Sequence, residues 1–484
     1  MNILMKTIGH TAPKLWLMML CLLPVAAGCT MAPSYYRPEA PIPTNYPAAG
    51  LLDGHQQTID AVAQQNPKLL AWKEFFTDPV LQRVIDLALA NNRDLRIAML
   101  NIELTRAQYR VQRADLLPTI NASGENSNQH LPADMRASGV RGVDRQYSAS
   151  LGFSAFELDL FGRIRSLTDQ ALETYYSVED DAKTAQISLV AETAAIYLQL
   201  VADRELYDIT TRTYESRKAQ YMLIQNKFSA GVASDLEVQQ ARGVMEEARS
   251  NAARYATRVG QDENYLVLLM GTGIPKDLPE VRKLQDVAGL ADVPEGLPSS
   301  LLERRPDIQA AEHHLKGFNA NIGAARANFF PRIVLTGAVG SLSNEYHDLF
   351  SNGQHTWSFL PQITLPIFDT GRNISRLQAA NSQRDIAVAE YEKAIQSAFR
   401  EVGDTLVQRA NIGEQMDADA AMVDAASRGH DLARQRYDVG VDSYLNVLDA
   451  ERTLYTAQQS YVGTLLLRES NALMLYKALG GGWY

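Results

Sequence analysis

Histidine is the side chain that most often does acid–base or metal chemistry at neutral pH, and two histidines stand side by side at His313 and His314. Neighbours on a helix point to different faces, whereas metal ligands on a helix are spaced three or four residues apart. The pair is therefore predicted to be structural or solvated. The sequence shows no other catalytic or metal-binding signature, so we expect no enzyme, no metal and no cofactor.

Cys29 is the side chain best placed for covalent modification. Two lysines precede the apolar run 15–27, which is too short to span a bilayer and predicts a signal peptide over 1–28. Small residues followed by Cys29 resemble a bacterial lipobox, which predicts a lipidated mature N-terminus. Thr30 in place of aspartate then implies sorting to the outer membrane. The alternative is a plain cleavable signal that leaves a free thiol, and no internal disulfide is possible because Cys21 lies in the signal.

Two stretches with the same pattern carry the remaining polar side chains of interest. They are 227–241 and 436–452, and in each a glycine suited to a positive-φ turn separates two helical patterns. Gly231 in the first stretch corresponds to Gly440 in the second. A helix–turn–helix segment used twice indicates an internal duplication of the chain.

The helices that flank these turns are predicted to be very long. No proline or glycine occurs between Gly162 and Gly231, and a helix of that length reaches about 100 Å at 1.5 Å per residue. Large side chains recur at seven-residue intervals along it, which predicts side-by-side packing of the coiled-coil type. This row consists of Leu200, Tyr207, Tyr214, Tyr221 and Phe228.

Four segments alternate between apolar and small polar residues with the period of a β-strand: 119–128, 146–155, 333–341 and 356–365. Strands of about ten residues with one apolar face predict transmembrane hairpins. Periodicity alone also allows half of a soluble sandwich. On the second strand the residues predicted to share the apolar face are Tyr147, Ala149, Leu151, Phe153 and Ala155.

The predicted fold class is mixed α+β, mostly α and internally duplicated. Each repeat consists of a helix, two strands, a long helix, a glycine turn and a long helix. In the first repeat one helix is expected from Pro79 to the stop at Pro118. The predicted divisions are a signal peptide (1–28), a lipidated tether (29–77), the first repeat (78–270), a connector (271–300) and the second repeat (301–484).

Four lipid-facing strands cannot sit alone in a bilayer, because open edges there leave backbone groups unpaired. Closure of the sheet therefore requires further subunits, and the small polar faces suit a water-filled lumen. Helices of about 100 Å cannot fit within the membrane and must project from it. A net charge of −10 argues against a nucleic-acid partner.

Several segments together resemble the outer-membrane efflux protein family, the TolC-like channels, in its OprM-like and NodT-like lipoprotein branch. Besides the lipobox and both glycine turns, they are 301–308, 324–331, 398–402 and 476–483. The resemblance implies a homotrimer with a twelve-stranded barrel and a twelve-helix periplasmic tunnel. It also implies passive export of drugs and other small toxic compounds, supplied by an inner-membrane pump of the RND type through a periplasmic adaptor.

The same resemblance implies a gate where the two glycine turns form the periplasmic tip. An apolar ring and an acidic ring would close the tunnel, and contacts between helix pairs would hold it closed. The implied gate residues are Leu445, Asn446 and Asp449, and the implied lock residues are Tyr437, Glu237 and Asp442. The competing hypothesis is a coiled-coil adaptor or envelope scaffold without a pore, which would lack the lipid-facing strands.

Overall fold

The computed structural model describes residues 30–43, 71–136, 139–277, 279, 283–287 and 299–481. The predicted signal peptide and Cys29 lie outside these residues, as do parts of the tether and connector. The elements of the described part are α1 (Trp72–Phe75), α2 (Pro79–Asn91), α3 (Arg93–Ala114), β1 (Ile120–Leu131), β2 (Gly142–Leu158), α4 (Arg163–Ser229), α5 (Asp235–Met270), α6 (Pro306–Ala327), β3 (Arg332–Ser343), β4 (His355–Thr364), α7 (Arg372–Asp438) and α8 (Tyr444–Ala478).

The chain divides into two compact units. The first comprises residues 1–39, 101–178 and 310–391, and it contains the sheet. The second comprises residues 40–100, 179–309 and 392–484, and it contains both glycine turns. The long helices α4 and α7 contribute residues to both units.

The sheet of the first unit is antiparallel with the order β1-β2-β3-β4, so β1 and β4 are its edges. Apolar side chains align across it on one face, where Leu151 pairs with Val339 and Val339 with Trp357. These side chains are exposed, and Trp357 is 77% accessible. The opposite face carries small polar groups, and the hydroxyls of Ser123 and Ser150 lie 2.8 Å apart there. The predicted alternation thus produces one apolar and one polar face.

The alternation on β2 ends earlier than predicted, because a β-bulge interrupts the strand after Phe153. Ala155 has a φ of 54°, and its backbone N–H donates to the Thr336 hydroxyl. The bulge adds one residue to β2, so Ala155 does not continue the apolar face and Glu157 moves from that face to the polar one. The prediction that Ala155 shares the apolar face is therefore wrong.

The single helix predicted before the first strand is also wrong, because Asn92 separates α2 from α3. Asn92 has non-helical dihedral angles, φ −59° and ψ 135°. Its Oδ1 accepts from the backbone N–H of Leu95 at 2.9 Å, which caps α3, and its Nδ2 donates to the carbonyl of Leu269 at 3.0 Å. An asparagine that satisfies the backbone of two elements stabilises a helix break without proline or glycine.

The core of the second unit forms where the short early helices meet the long ones. Phe75 stacks on Tyr476 with ring centroids 4.2 Å apart, and Phe76 meets the same ring edge-on at 5.9 Å. Both phenylalanines are fully buried. Aromatic pairs of this kind stabilise a fold by about 0.5–1.5 kcal/mol beyond their buried area. One segment before the first repeat is thereby packed against the end of the second.

The buried row of α4 differs from the predicted one. Tyr207 and Phe228 are both more than one third exposed, whereas Ala202, Ile209 and Ile224 are buried. A straight α-helix drifts by about 20° per seven residues, so a strict seven-residue row turns away from the packing surface. Helix α4 is also apolar and long enough to cross a membrane, but 61% of its apolar window is buried within the protein, as in a core helix.

Candidate functional site

The two glycine turns have the same backbone conformation. Gly231 has a φ of 74° and Gly440 a φ of 79°. In each turn the glycine N–H bonds the carbonyl three residues earlier at 2.9 Å, and the next residue's N–H bonds the carbonyl five residues earlier. This is the Schellman arrangement, which ends a helix at a left-handed residue. A side chain at either glycine would strain the turn. We call these two segments, 227–234 and 436–443, the tip turns.

The helix after the first tip turn is capped by its own residues. The Ser234 hydroxyl accepts from the backbone N–H of Glu237 at 3.3 Å, and the Glu237 carboxylate accepts from the backbone N–H of Ser234 at 2.7 Å. This reciprocal pair is a capping box. The carboxylate that the sequence assigned to the lock is therefore bound to the start of its own helix.

The second tip turn is closed differently. Ser443 occupies the N-cap of α8 but makes no side-chain capping hydrogen bond. Instead, the Arg436 guanidinium donates to the Asp442 carboxylate at 2.6 Å, across the turn. This hydrogen bond lowers the pKa of Asp442, and the Asn446 amide acts in the same direction. Asp442 and Asn446 thus contact each other on the outside of the turn.

Tyr437 bonds a lysine of the first repeat. Lys227 Nζ donates to the Tyr437 hydroxyl at 3.2 Å and lies 4.7 Å from the centre of the same ring. The tyrosine ring also lies 5.5 Å from that of Tyr444. The expected partner, Glu237, is engaged in the capping box. The structure thus links the two tip turns through Lys227 and Tyr437.

A small apolar core lies directly beneath the two tip turns, and both repeats contribute to it. Its buried members are Ile224, Val238, Ala241, Tyr444, Val447 and Leu448. The Tyr444 hydroxyl donates to the Gln220 side chain of the first repeat at 3.0 Å. Burial raises the pKa of this hydroxyl. The start of α8 is therefore anchored to the first repeat by apolar packing and by one partly buried hydrogen bond.

The predicted gate residues lie on the opposite, exposed face of α8. Leu445 is 52% accessible, and Asn446 and Asp449 are exposed as well. Asp449 accepts from the Arg452 guanidinium at 3.0 Å. Leu445 and Asp449 are four residues apart and so share one helix face. Within the described residues no group of three or more His, Cys, Asp and Glu side chains could hold a metal ion.

A buried ion pair lies below the tip turns and involves three helices. Arg217 of α4 is 3% accessible, donates to the carbonyl of Val244 on α5 at 3.0 Å and lies 3.7 Å from the Glu451 carboxylate on α8. Burial raises the pKa of Glu451, while Arg217 opposes that rise. His430 of α7 also acts on Glu451 electrostatically. We call Arg217, Glu451 and His430 the polar hub.

Comparison with protein families identifies the chain. The model of the outer membrane efflux protein family matches residues 84–272 and 297–481. The chain belongs to the outer membrane efflux protein family. The toluene efflux pump outer membrane protein TtgC of Pseudomonas putida is 49% identical over 95% of this chain and 94% of its own length. The outer membrane protein OprJ of Pseudomonas aeruginosa is 42% identical over 94% of this chain and 93% of its own length.

Solved structures agree with this membership. The open state of the MtrE outer membrane channel of Neisseria gonorrhoeae matches with a TM-score of 0.83 and 37% identity, over 94% of this chain and 99% of that one. CusC matches with a TM-score of 0.82 and 34% identity, over 94% of this chain and all of that one. The predicted TolC-like fold class, outer-membrane location, efflux function and pump partners are thereby confirmed.

The sequence did not predict several contacts between the two repeats of this efflux channel. Lys227, Gln220 and Arg217 each bond a residue of the second repeat more than two hundred positions away. Of the three, only Arg217 has a sequence feature that weakly indicates its contact. It continues the row of α4 side chains that contains Ile209 and Ile224, both of which are buried. A charged residue in an apolar row indicates a buried partner.

Proposed function

We propose that this chain is the passive outer-membrane conduit of a tripartite efflux pump, supplied by an RND-type pump through a periplasmic adaptor. The observation that supports it best is the four-stranded sheet with one exposed apolar face, one polar face and two edges. In lipid such edges must be paired. Three copies would join β4 of one to β1 of the next and enclose a polar lumen.

The test of this proposal is the conductance of the purified protein in planar bilayers, together with its mass in detergent. We expect a species of three chains that conducts. A monomer that conducts, or a trimer that never conducts, would contradict the conduit. The latter outcome would support the alternative of a scaffold without a pore. The relatives named for toluene and antibiotic efflux suggest drugs and other small toxic compounds as cargo.

The gate is proposed at the exposed face of α8, directly after the second tip turn. Three copies of Leu445 near the axis would exclude water, and Asp449 would present its carboxylate one helical turn further on. Asn446 would add an amide beside Leu445. Because Arg452 already bonds Asp449, each acidic charge in such a ring is partly neutralised. We expect Asp449→Ala to weaken block by divalent cations while the closed state persists, which single-channel recordings with added Mg²⁺ would measure.

The lock that holds this gate closed is proposed to include Lys227 and Tyr437, with Glu237 acting through the capping box and Asp442 through Arg436. A hydrogen bond that involves a charged group contributes about 1.5–3 kcal/mol. Contacts of that size suit a gate that adaptor and pump must open. The tip turns at Gly231 and Gly440 bring these groups together.

The lipid anchor is proposed at Cys29, and the docking of the following residues supports it. Arg37 donates to the buried Glu312 carboxylate at 2.6 Å, and Tyr35 donates to the same group. Further along α6, Arg326 donates to the carbonyl of Met31. Residue 31 therefore lies near the end of α6, only a few residues before β3 begins. Mass spectrometry should find an acylated Cys29, and Cys29→Ser should abolish the modification. An unmodified N-terminus elsewhere would contradict the anchor.

A further inference from the structure

The first unit contains a cavity of about 580 Å³ where the strands give way to the helices. The ends of β2 and β4, the start of β3 and the starts of α4 and α7 line it. Its strand residues belong to the polar face of the sheet, since Glu157 pairs with Val334 and Val334 with Gln362. Four arginines and three carboxylates supply its charged lining. The arginines are Arg163, Arg332, Arg372 and Arg376.

The bulge in β2 places the first carboxylate, Glu157, in this cavity. Glu157 accepts two hydrogen bonds from Arg163, at 2.7 and 2.8 Å, and a third from Arg332. The carboxylate is only 8% accessible and is shared by two guanidiniums. Two of the four arginines of the cavity are therefore paired within the chain.

The other two carboxylates are occupied by backbone groups. Asp159 accepts from two backbone N–H groups in the first turn of α4, at 3.0 and 2.9 Å, and from the side chain of Arg165. Asp369 accepts from two backbone N–H groups at the start of α7, at 3.1 and 2.9 Å. Both carboxylates cap helices, where negative charge is favourable. Neither bonds Arg372 or Arg376.

Arg372 and Arg376 are the remaining cations of the cavity. Neither guanidinium has a hydrogen bond or ion pair with any residue that the structure describes. Both side chains are exposed and line the cavity. They are four residues apart on α7 and so lie on one face, where like charges repel each other. Each guanidinium can bind a phosphate or carboxylate through two parallel N–H groups.

We propose that Arg372 and Arg376 form a binding site for the phosphate or carboxylate group of small anions on the polar face of the sheet. The proposal rests on the proposed conduit, in which the polar faces of three copies surround one lumen. Six guanidiniums would then meet every solute that passes from the helices into the barrel. The positive charge of the site raises the local concentration of anionic solutes and so favours their passage. This effect does not involve the proposed gate, whose residues belong to the second unit.

The test uses the purified full-length protein in planar bilayers and pyrophosphate as the probe, in a constant chloride background. Pyrophosphate should reduce the wild-type current in a concentration-dependent way. In the variant Arg372→Gln/Arg376→Gln the concentration for half block should rise at least tenfold. The matched control is Arg384→Gln on the same helix, where Arg384 already bonds Asp385. It should leave the block unchanged.

Calorimetric titration of the same proteins with pyrophosphate measures binding without reference to conduction. The proposal is overturned if the wild type and the double variant bind and block equally, or if the wild type shows neither effect while it conducts. It is also overturned if the control loses the effect as fully as the double variant. Absence of any current without pyrophosphate would instead count against the proposed conduit, so the two failures are distinguishable.

Discussion

The two tip turns share one backbone conformation but differ in what holds the helix that follows. In the first turn Ser234 and Glu237 cap α5 from within four residues of sequence. In the second, the N-cap residue Ser443 makes no side-chain capping hydrogen bond, and α8 is anchored through Tyr444 to Gln220 of the first repeat. The two copies thus share the fold of the turn, but local capping holds the helix in the first and contacts between repeats hold it in the second.

This difference assigns different roles to the two turns. A locally capped helix keeps its start when its neighbours move, because its hydrogen bonds do not involve them. A helix anchored through another repeat can shift when those contacts break. We therefore expect α8, whose exposed face carries Leu445 and Asp449, to move more readily than α5.

The largest effect is expected at the polar hub. Arg217→Leu leaves the Glu451 carboxylate buried without its cation, and breaking a buried ion pair in this way costs about 3 kcal/mol of folding stability. The unfolding midpoint of the protein in detergent should fall accordingly. The double variant Arg217→Leu/Glu451→Leu should recover most of the loss. A double-mutant cycle with a coupling energy below about 0.5 kcal/mol would show that the two helices do not depend on this pair.

The hub should also make stability depend on pH. Burial raises the pKa of Glu451 above its ordinary value, despite Arg217. The folded state then binds this proton more tightly than the unfolded state does. The stability from Glu451 is fully present below the unfolded pKa and is lost as the pH rises through the folded one. Glu451→Gln should remove that loss in unfolding midpoints measured between pH 4 and 8. An unchanged profile would contradict this assignment.

A smaller effect is expected for the contact between the turns. Lys227→Ala with Tyr437→Phe removes one hydrogen bond to a charged group and one cation–π contact, about 2 kcal/mol together. That corresponds to roughly a thirtyfold increase in the open fraction if the contact exists only in the closed state. Single-channel recordings measure it. The control is Glu237→Gln, which retains side-chain acceptor capacity for the cap and should open the channel less. Equal opening would reassign the lock to Glu237.

The capping difference itself predicts unequal effects of one substitution. Ser234→Ala removes the capping box and should destabilise the start of α5 by about 1 kcal/mol. Ser443→Ala removes no capping hydrogen bond of α8, so it should destabilise the start of that helix by only a small fraction of this free energy. Hydrogen exchange of the amides in the first turn of each helix reports both. Equal increases in exchange would mean that the two turns are capped alike.

The smallest effect is expected for the ion pair outside the second turn. The Arg436 side chain is exposed and that of Asp442 is partly exposed, so water and salt screen their attraction. Asp442→Asn should leave the unfolding midpoint unchanged and alter conductance only at low salt. A clear loss of stability at physiological salt would make this pair the principal closure of the second turn.

Local patterns predicted the elements well. Period-two alternation predicts the four strands, and the absence of proline and glycine predicts α4, because backbone preference acts over a few residues. Helix α7 lacks proline but contains Gly403, Gly413 and Gly429, so its continuity depends on the helical period and not on glycine content. The bulge at Ala155 was missed because alanine carries no turn signal and its positive φ depends on Thr336 of another strand. The break at Asn92 was missed for the same reason, since Leu269 supplies part of its stabilisation.

The partners of the site residues could not be read from the sequence. Lys227 and Tyr437 lie 210 positions apart, and nothing local distinguishes that pairing from one with Glu237. Three of the segments that carry the family resemblance are joined by hydrogen bonds that the sequence does not predict. Buried Arg305 bonds Glu401 and the carbonyl of Ala478, so three of those segments meet at one guanidinium. These three segments thus stabilise the fold of the second unit.

The bulge in β2 also decides which face of the sheet carries a charge. Below it, Glu157 lies on the polar face, while Phe156 and Leu158 pair with Leu335 and Ile333 on the apolar face. Without the extra residue the carboxylate would lie on the apolar face, where contact with lipid disfavours a charge to a degree that depends on depth. One extra residue thus keeps this carboxylate off the face that lipid would cover.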